Sequence, residues 1–552
     1  MNYLNILSFF GFTALVAIIA WYATRKTDEK SPDGYFLGGR SLGGITIAGS
    51  LLLTNLSAEQ IVGLNGQAFR EGILVMAWET LAATAIVFGA IFLLPKYMRS
   101  GITTIPEFIE ARFDAQTKSI LSILFLFAYG IVLLPTILYS GSLAFSTMFD
   151  LPNVLGISQW SVIWICVWGI GIIGIIYAIF GGLKAVAVSD VINAAGLLIG
   201  GLLIPIFGLL LIGDGSMIKG LTELWNSNPE KFEIEGAIDS SIPFTGVVFT
   251  GMMVAQIYYW GTNQSILQRV FAAKSLKEGQ KGMMLAAVVK FLIPIIVVLP
   301  GIIAWHYFEG NLENADQAYP ALVRIALPQG LVGFFAAVLF GAVLSSFNSL
   351  LNSSATLFGV DLYRQFFKKE ASDLETVKAG KNFGLILGLI SMSIAPFIFY
   401  ASDGLFDYIQ RSLGSMSVPI LAVVMVGMFT KKVPAIGAKA VMIGTVVLYI
   451  ISIVFLEPYF RDTAIEVAMA SGITDLKELS IIKANSYPHF LHIMGILFTV
   501  SILSMLLIGK IRPKKTVYAP KVTDAIDVTP WKYSIIVGTV ITLLVMSTYF
   551  IF

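Results

Sequence analysis

The sequence predicts an all-α, polytopic membrane protein with about fourteen transmembrane helices. The first observation is composition: 57% of the 552 residues are hydrophobic, only 13% are charged, and the mean hydropathy is +0.83. A soluble domain carries about 25% charged residues. The second observation is that apolar stretches of about 20 residues, each long enough to cross a bilayer, recur along the whole chain.

The predicted spans are separated by short polar or charged segments. They cover residues 3–24, 43–68, 72–98, 118–148, 157–180, 184–212, 243–265, 281–308, 329–363, 380–401, 404–430, 434–456, 488–510 and 533–551. The third observation is that about three quarters of the Lys and Arg residues lie in segments after odd-numbered spans. Because cytoplasmic loops are rich in these residues, we expect a multi-pass protein of the inner membrane, embedded in the lipid bilayer with both termini outside.

Several function classes lack support in the sequence. It contains neither a Walker A motif nor H-E-x-x-H, and it shows no basic stripe of the kind that binds nucleic acid. The single cysteine, Cys166, lies in an apolar run and excludes an intrachain disulfide. No catalytic constellation is evident, so an enzyme is the least favoured class. Nothing in the sequence indicates the oligomeric state.

Two ionisable residues, Glu79 and Lys290, lie well inside predicted spans. A charge at that depth costs about 2.5–3.5 kcal/mol on insertion scales, so such residues usually serve function. One interpretation is a structural ion pair between two helices. The amide residues near both positions favour the other interpretation, a water-filled substrate cavity.

Polar residues also interrupt three apolar segments: "TNLSAEQIVG" (54–63), "YYWGTNQSILQR" (258–269) and "GAVLSSFNSLLNSSATLFGVDLY" (341–363). If the helix unwinds near residues 53–57, its free carbonyl groups can bind a cation, as in the broken helices of transporters. The first two interruptions lie five spans apart and therefore run in opposite directions through the membrane. This spacing predicts two inverted repeats.

Five stretches resemble the sodium/solute symporter family, and in particular its sodium/galactose type. They are "DGYFLGGRSLGGITIAGSLLLTNLSAEQIVGLNG", "GITTIPEFIEARF", "YAIFGGLKAVAVSDVIN", "YYWGTNQSILQRVFAAKS" and "GMFTKKVPAIGAKAVMIG". The resemblance implies a LeuT-type core of two inverted five-helix repeats. The expected divisions are 1–42 for an extra helix and inner loop, 43–212 and 243–430 for the repeats, and 431–552 for the extra C-terminal helices.

The resemblance also implies site residues. Sodium, the coupling ion, would be bound by the carbonyl groups of Leu53, Leu56 and Ala342 and the hydroxyls of Ser345 and Ser346, with Asp190 on its exit route. The implied sugar contacts are Asn55, Gln60, Glu79, Lys290 and Gln410. Two positions depart from the galactose pattern: Ala82 replaces a serine, and Gln256 replaces an asparagine at a further contact. The implied gates are Tyr259 on the inner side and Leu64, Trp78 and Phe406 on the outer side.

We therefore expect a sodium-driven symporter that imports a neutral sugar, a galactose- or glucose-type hexose, by alternating access. Within the same family, the alternative is a symporter for another polyol or organic solute, such as myo-inositol. A different class of alternative is a channel, or a sensor that binds a solute without moving it. A channel would need a continuous polar pore, whereas polarity here collects at two interrupted helices.

Overall fold

The computed structural model describes residues 3–24, 37–235, 240, 242–400, 404–515, 518–519 and 526–550. In this part of the chain the structure is helical, and its β-type pairings are two isolated bridges, Leu42 with Ala273 and Ser275 with Asp527. The predicted all-α class is confirmed. Most of the predicted first inner loop, including Arg25 and Lys26, lies outside the described residues.

The α-helices are numbered in chain order. The first eleven are α1 Tyr3–Thr24, α2 Gly44–Asn55, α3 Ala58–Glu71, α4 Ala77–Phe88, α5 Leu94–Ser100, α6 Ile105–Arg112, α7 Ala115–Phe127, α8 Leu134–Met148, α9 Leu151–Leu155, α10 Gln159–Ile212 and α11 Met217–Ser227. Short non-α helical segments connect some of these helices. They are the 3-10 segment Gly72–Met76 and the π-helical segments Gly89–Leu93 and Ala128–Leu133.

Fifteen more α-helices follow. They are α12 Phe244–Phe249, α13 Gly251–Gly261, α14 Gln264–Phe271, α15 Leu276–Leu292, α16 Pro294–Val297, α17 Leu299–Tyr307, α18 Ala318–Ala326, α19 Leu331–Thr356, α20 Asp373–Ile394, α21 Leu405–Phe429, α22 Ala435–Ile450, α23 Glu457–Ala470, α24 Leu476–Asn485, α25 Phe490–Ile511 and α26 Ser534–Thr548. The π-helical segments Leu357–Phe367 and Ile451–Leu456 extend α19 and α22, and the 3-10 segment Ala395–Tyr400 extends α20.

The structure confirms part of the predicted number of membrane spans. Nine helical stretches among the described residues are long and apolar enough to cross a membrane, or ten if the pair Leu276–Leu292 and Pro294–Tyr307, bent by 45°, is one span. Fourteen spans are therefore not confirmed. One reason is that the predicted span 43–68 is broken, which leaves the 12-residue helix α2 on one side and a helix continuous with the next span on the other.

The break between α2 and α3 lies at Leu56 and Ser57, as the polar interruption predicts. Leu56 has ψ +61° and Ser57 is extended, with ψ −177°. The amide of Leu56 still donates to Leu52 O at 2.7 Å, and the next helix begins when Ile61 N donates to Ser57 O at 3.0 Å. Ser57 is the N-cap residue of α3, and its hydroxyl donates to the Glu59 carboxylate instead of accepting from a backbone amide.

A second break separates α13 from α14 at Thr262 and Asn263. Asn263 caps α14, since its side-chain oxygen accepts from Ser265 N at 3.0 Å, and it also accepts from the Tyr129 hydroxyl at 2.7 Å. The helices beside the two breaks pack together, since α14, which follows the second break, contacts α2, which precedes the first. This arrangement places polar backbone in the middle of the helical core.

Candidate substrate and sodium sites

A central cavity lies beside the broken helix. Its lining includes all seven residues predicted to contact the substrate: Asn55, Gln60, Glu79, Gln256, Tyr259, Lys290 and Gln410. These side chains come from six different helices, so only the fold brings them to one place.

Glu79 on α4 and Lys290 on α15 form an ion pair on the cavity wall. The Lys290 ammonium donates to Glu79 Oε2, and both side chains are almost fully buried. The ammonium also lies 5.8 Å from the centre of the Trp260 ring. A buried pair of this kind is stable only while both partners are present, because either one alone is an uncompensated charge. The pair joins two helices and also lines the cavity, so it is compatible with either interpretation of the sequence.

Several cavity residues carry buried polar atoms with no hydrogen-bond partner among the described residues. These atoms are Asn55 Oδ1, Gln60 Oε1, Trp78 Nε1, the Tyr258 hydroxyl and Trp260 Nε1. Buried polar groups are normally hydrogen-bonded, and each exception calls for a ligand, a water or an ion. The group mixes acceptors and donors, which is what a molecule with several hydroxyls requires.

The two positions that depart from the galactose pattern both lie in the cavity wall. Gln256 Nε2 donates to Trp78 O at 2.8 Å, so part of its amide is already bound to the backbone of a predicted gate residue. Ala82 is buried on α4, one helical turn after Trp78 and on the same wall as Glu79. Its methyl group offers no hydrogen bond where the galactose pattern has a hydroxyl.

Three of the four predicted gate residues line the cavity. Trp78 and Phe406 contact each other edge to face, with ring centroids 5.2 Å apart, and both are 2% exposed. Tyr259 lies on α13 beside Trp260, and their ring centroids are 5.3 Å apart. Leu64 is fully buried in the hydrophobic core and is not part of the lining. The aromatic contact between two of the predicted outer-gate residues is thus formed without Leu64.

One predicted sodium ligand, Ser346, contacts the chain beside the break. Ser346 Oγ donates to Thr54 O at 3.0 Å and lies 3.4 Å from Leu53 O, which joins α19 to the last turn of α2. Ser345 is also buried, and Ala342 precedes it by one turn of the same helix. Leu56, the remaining predicted ligand, is the break residue itself. Carbonyl and hydroxyl oxygens at an unwound helix are the groups that hold sodium in transporters.

Asp190 belongs to a fully buried network that includes Ser50 and Arg269. The Ser50 hydroxyl donates to Asp190 Oδ2 at 2.6 Å, and Arg269 Nη2 lies 3.9 Å from the same oxygen. Arg269 also donates to Ser50 Oγ at 2.8 Å, to Ser265 O at 2.6 Å and to the Ser349 hydroxyl. The carboxylate is therefore paired with a cation on α14, and four helices meet there.

Four residues near the sites escaped the sequence analysis as ligand or network candidates. Tyr258 and Trp260 line the cavity together with Tyr259, although neighbouring helical residues point about 100° apart. Glu59 also lines the cavity and accepts from the Ser57 hydroxyl. The sequence places Arg269 in a predicted inner loop, whereas the fold buries its side chain.

The Sodium:solute symporter family model matches residues 35–447 of this chain. The sodium/glucose cotransporter of Vibrio parahaemolyticus is 34% identical over 464 residues, which cover 79% of this chain and 83% of the relative. An uncharacterized symporter of Escherichia coli, YidK, is 43% identical over 532 residues, which cover 96% of this chain and 88% of that protein. The human sodium/myo-inositol cotransporter 2 is 30% identical, with coverage of 77% and 66%.

Among solved structures, a Na⁺-coupled sialic acid symporter in an outward-open, substrate-bound state has the same fold. The TM-score is 0.73 at 22% sequence identity, and the likeness covers 93% of this chain and 99% of that one. The relatives are sodium-coupled transporters and not enzymes. The chain therefore belongs to the sodium:solute symporter family and is a multi-pass, sodium-coupled solute transporter.

Proposed function

We propose that this chain imports a neutral hexose of the galactose or glucose type together with sodium, by alternating access. One observation carries the proposal: seven side chains of the galactose pattern, or close variants of them, surround one buried cavity beside a broken helix. The 34% identity to a sodium/glucose cotransporter supports the same substrate class.

The cavity suits a sugar because it offers donors, acceptors and aromatic surface in one place. Sugar hydroxyls both donate and accept, so they can bind the carbonyl oxygens of Asn55 and Gln60 as well as the charged groups of Glu79 and Lys290. Gln410 supplies a further amide. Tyr259 would stack on the sugar ring from the inner side, and Trp78 with Phe406 would close the outer side, with Leu64 behind them.

Sodium would couple to the sugar through the break. In this proposal the ion binds the carbonyl groups of Leu53, Leu56 and Ala342 and the hydroxyls of Ser345 and Ser346. Binding would hold α2 against α19 and so fix the positions of Asn55 and Gln60. The ion would then leave toward the inner side past Asp190, after Arg269 and its partners separate.

One sodium ion provides enough free energy for this transport. A membrane potential of about 100 mV is worth about 2.3 kcal/mol for one charge. A tenfold sodium gradient adds about 1.4 kcal/mol. Together these terms could accumulate a neutral solute several hundredfold, since each 1.4 kcal/mol corresponds to about a factor of ten.

We also propose the membrane arrangement that this mechanism needs. Residues 43–212 and 243–430 would form two inverted repeats, each beginning with a broken helix, and the extra helices would complete fourteen spans. The breaks at 56–57 and 262–263 support this assignment because each falls within the first predicted span of its proposed repeat. The distribution of Lys and Arg supports an inner-membrane location with both termini outside.

A second candidate substrate is myo-inositol or a similar polyol. Ala82 and Gln256 favour this candidate because both residues differ from the galactose pattern and each alters one potential hydroxyl contact. A relative named for myo-inositol transport is 30% identical over most of this chain. Both candidates are neutral and rich in hydroxyls, so they would use the same sodium mechanism.

Uptake by proteoliposomes tests the proposal. We expect labelled galactose or glucose to accumulate when sodium is high outside, and not when potassium replaces sodium on both sides. Accumulation of myo-inositol alone would favour the second candidate. Uptake that equilibrates without a gradient would indicate a channel, and absence of uptake for every solute would contradict the symporter proposal.

A further inference from the structure

The outer end of α3 is tied to the start of α21 by one buried carboxylate. Asp407 Oδ2 accepts from Arg70 Nη2 at 3.1 Å, and Asp407 Oδ1 accepts from Gln67 Nε2 at 2.7 Å. Asp407 is 7% exposed, and Gln67 is fully buried. The two donors are three residues apart on α3 and so lie on the same side of that helix. Both oxygens of the carboxylate are therefore bound by the same short stretch of the broken helix.

This contact adjoins the aromatic pair above the cavity. Phe406 precedes Asp407, and its ring contacts Trp78 across the outer end of the cavity. At Gly63 on α3, a Cβ atom would lie only 3.0 Å from Phe406 Cβ, so α3 and the Phe406 backbone are in close contact. Any movement of the outer half of α3 away from α21 must therefore separate these surfaces as well.

Two further charged residues fix the parts that the contact joins. Asp316 Oδ2 accepts from Leu405 N at 2.9 Å, which satisfies a free amide at the start of α21. Lys231 Nζ donates to Phe69 O at 3.1 Å and to Arg70 O at 2.5 Å, which satisfies carbonyl groups at the end of α3. Each helix end thus has its own anchor, and Asp407 links the two.

We propose that Gln67, Arg70 and Asp407 form a latch that positions Phe406 and holds the outer side of the cavity closed. The latch must open before a solute enters from outside and close again before the inner side opens. Its contacts are short and local, so a small rotation of α3 breaks all of them at once. The assignment rests on the proposed function, because it takes the central cavity as the transport site.

External labelling of a single cysteine tests the latch directly. In a Cys166→Ala background, Ile409→Cys places a thiol in the cavity wall, and a membrane-impermeant maleimide reports access from outside. Loss of a hydrogen bond to a charged group should shift the population toward the open state by about tenfold. Asp407→Asn and Arg70→Gln should therefore label about ten times faster. Sugar uptake should show a lower external KM and a lower kcat, because closure becomes less favourable.

Controls distinguish the latch from general loosening. The exchange Arg70→Asp with Asp407→Arg should return labelling close to the original rate. Arg324→Ala breaks an exposed ion pair with Asp150, whose N–O distance is 3.0 Å, and should leave the rate unchanged. Gln67→Ala serves as a milder variant if Asp407→Asn does not fold.

Two outcomes would overturn the latch: unchanged labelling in folded, monodisperse variants, or fast labelling that the charge exchange does not reverse. The test does not depend on identifying the solute. If the parent protein transports no sugar but the labelling pattern holds, the proposed substrate is wrong and the latch stands.

Discussion

Glu79 and Lys290, 211 residues apart in the sequence, form a buried ion pair on the wall of the central cavity. No other charged side chain among the described residues that line the cavity forms an ion pair, since the Glu59 carboxylate accepts from the Ser57 hydroxyl and has no cationic partner there. Two roles are proposed for the pair: it holds α4 against α15, and it binds the solute. Mutations can separate them.

Replacing Glu79 alone should abolish uptake and also weaken the fold. In Glu79→Ala, Lys290 remains as a buried cation without its partner, which costs about 3–5 kcal/mol. The double variant Glu79→Gln with Lys290→Met removes both charges and should recover most of the thermal stability. If the pair contacts sugar, the stable double variant will still not transport. Full uptake by the double variant would show that the pair is only structural.

Ser346→Ala should lower the affinity for sodium more than it lowers the stability of the fold. The variant loses the hydroxyl that contacts the carbonyl groups at the end of α2, and one hydrogen bond of this kind is worth about 1 kcal/mol. We therefore expect the sodium concentration for half-maximal uptake to rise about fivefold, with sugar affinity unchanged at saturating sodium. Ser142→Ala, which removes a buried hydroxyl bonded within α8, is the matched control. An equal effect in both variants would argue against a sodium ligand.

Asp190→Asn should slow the release of sodium along the proposed exit route. The substitution leaves Arg269 with its serine partners but without the carboxylate, so we expect a loss of about 3 kcal/mol in stability. Sodium efflux from preloaded proteoliposomes, measured without sugar, should slow severalfold, while equilibrium sugar binding should remain. Arg269→Lys keeps the charge and should retain more activity. Normal efflux by a folded Asp190→Asn protein would remove Asp190 from the exit route.

Ala82 should influence which sugar is accepted. Ala82→Ser adds a hydroxyl to the wall beside Glu79, and a well-placed neutral hydrogen bond is worth about 1 kcal/mol. We expect up to a fivefold gain for galactose relative to myo-inositol in competition assays. Leu81→Val, which changes a neighbouring apolar side chain outside the lining, provides the control. An unchanged ratio would show that position 82 does not contact the solute.

Substitution of Gln256 should change the rate of release past the proposed gate more than it changes the preference among sugars. Its amide donates to Trp78 O, so Gln256→Asn, which is one methylene shorter, should loosen that contact. We expect faster release of bound sugar to the outside, measured by dilution of preloaded protein, and a smaller change in the preference between galactose and myo-inositol. A change confined to sugar preference would instead support a direct contact.

Much of the architecture could be predicted from the sequence because membranes impose simple rules. The hydropathy of the chain predicts helices, since backbone polar groups in lipid must be bonded internally. The interruption "TNLSAEQ" predicts the break at 56–57 because serine and asparagine compete with helical bonding. The count of fourteen is not confirmed, because hydropathy does not register that one span is broken or that helices continue beyond the apolar stretch.

The sequence by itself determined the class of the chain, its broken helix and the residue types available to bind sodium and a solute. Only the tertiary structure decided which of them meet. It joined Glu79 to Lys290, placed Ser346 against the break, left Leu64 behind the cavity wall and buried Arg269 beside Asp190. The physical reason is that local patterns specify how each segment folds. Contacts between distant segments depend on how whole helices pack, and no local pattern encodes them.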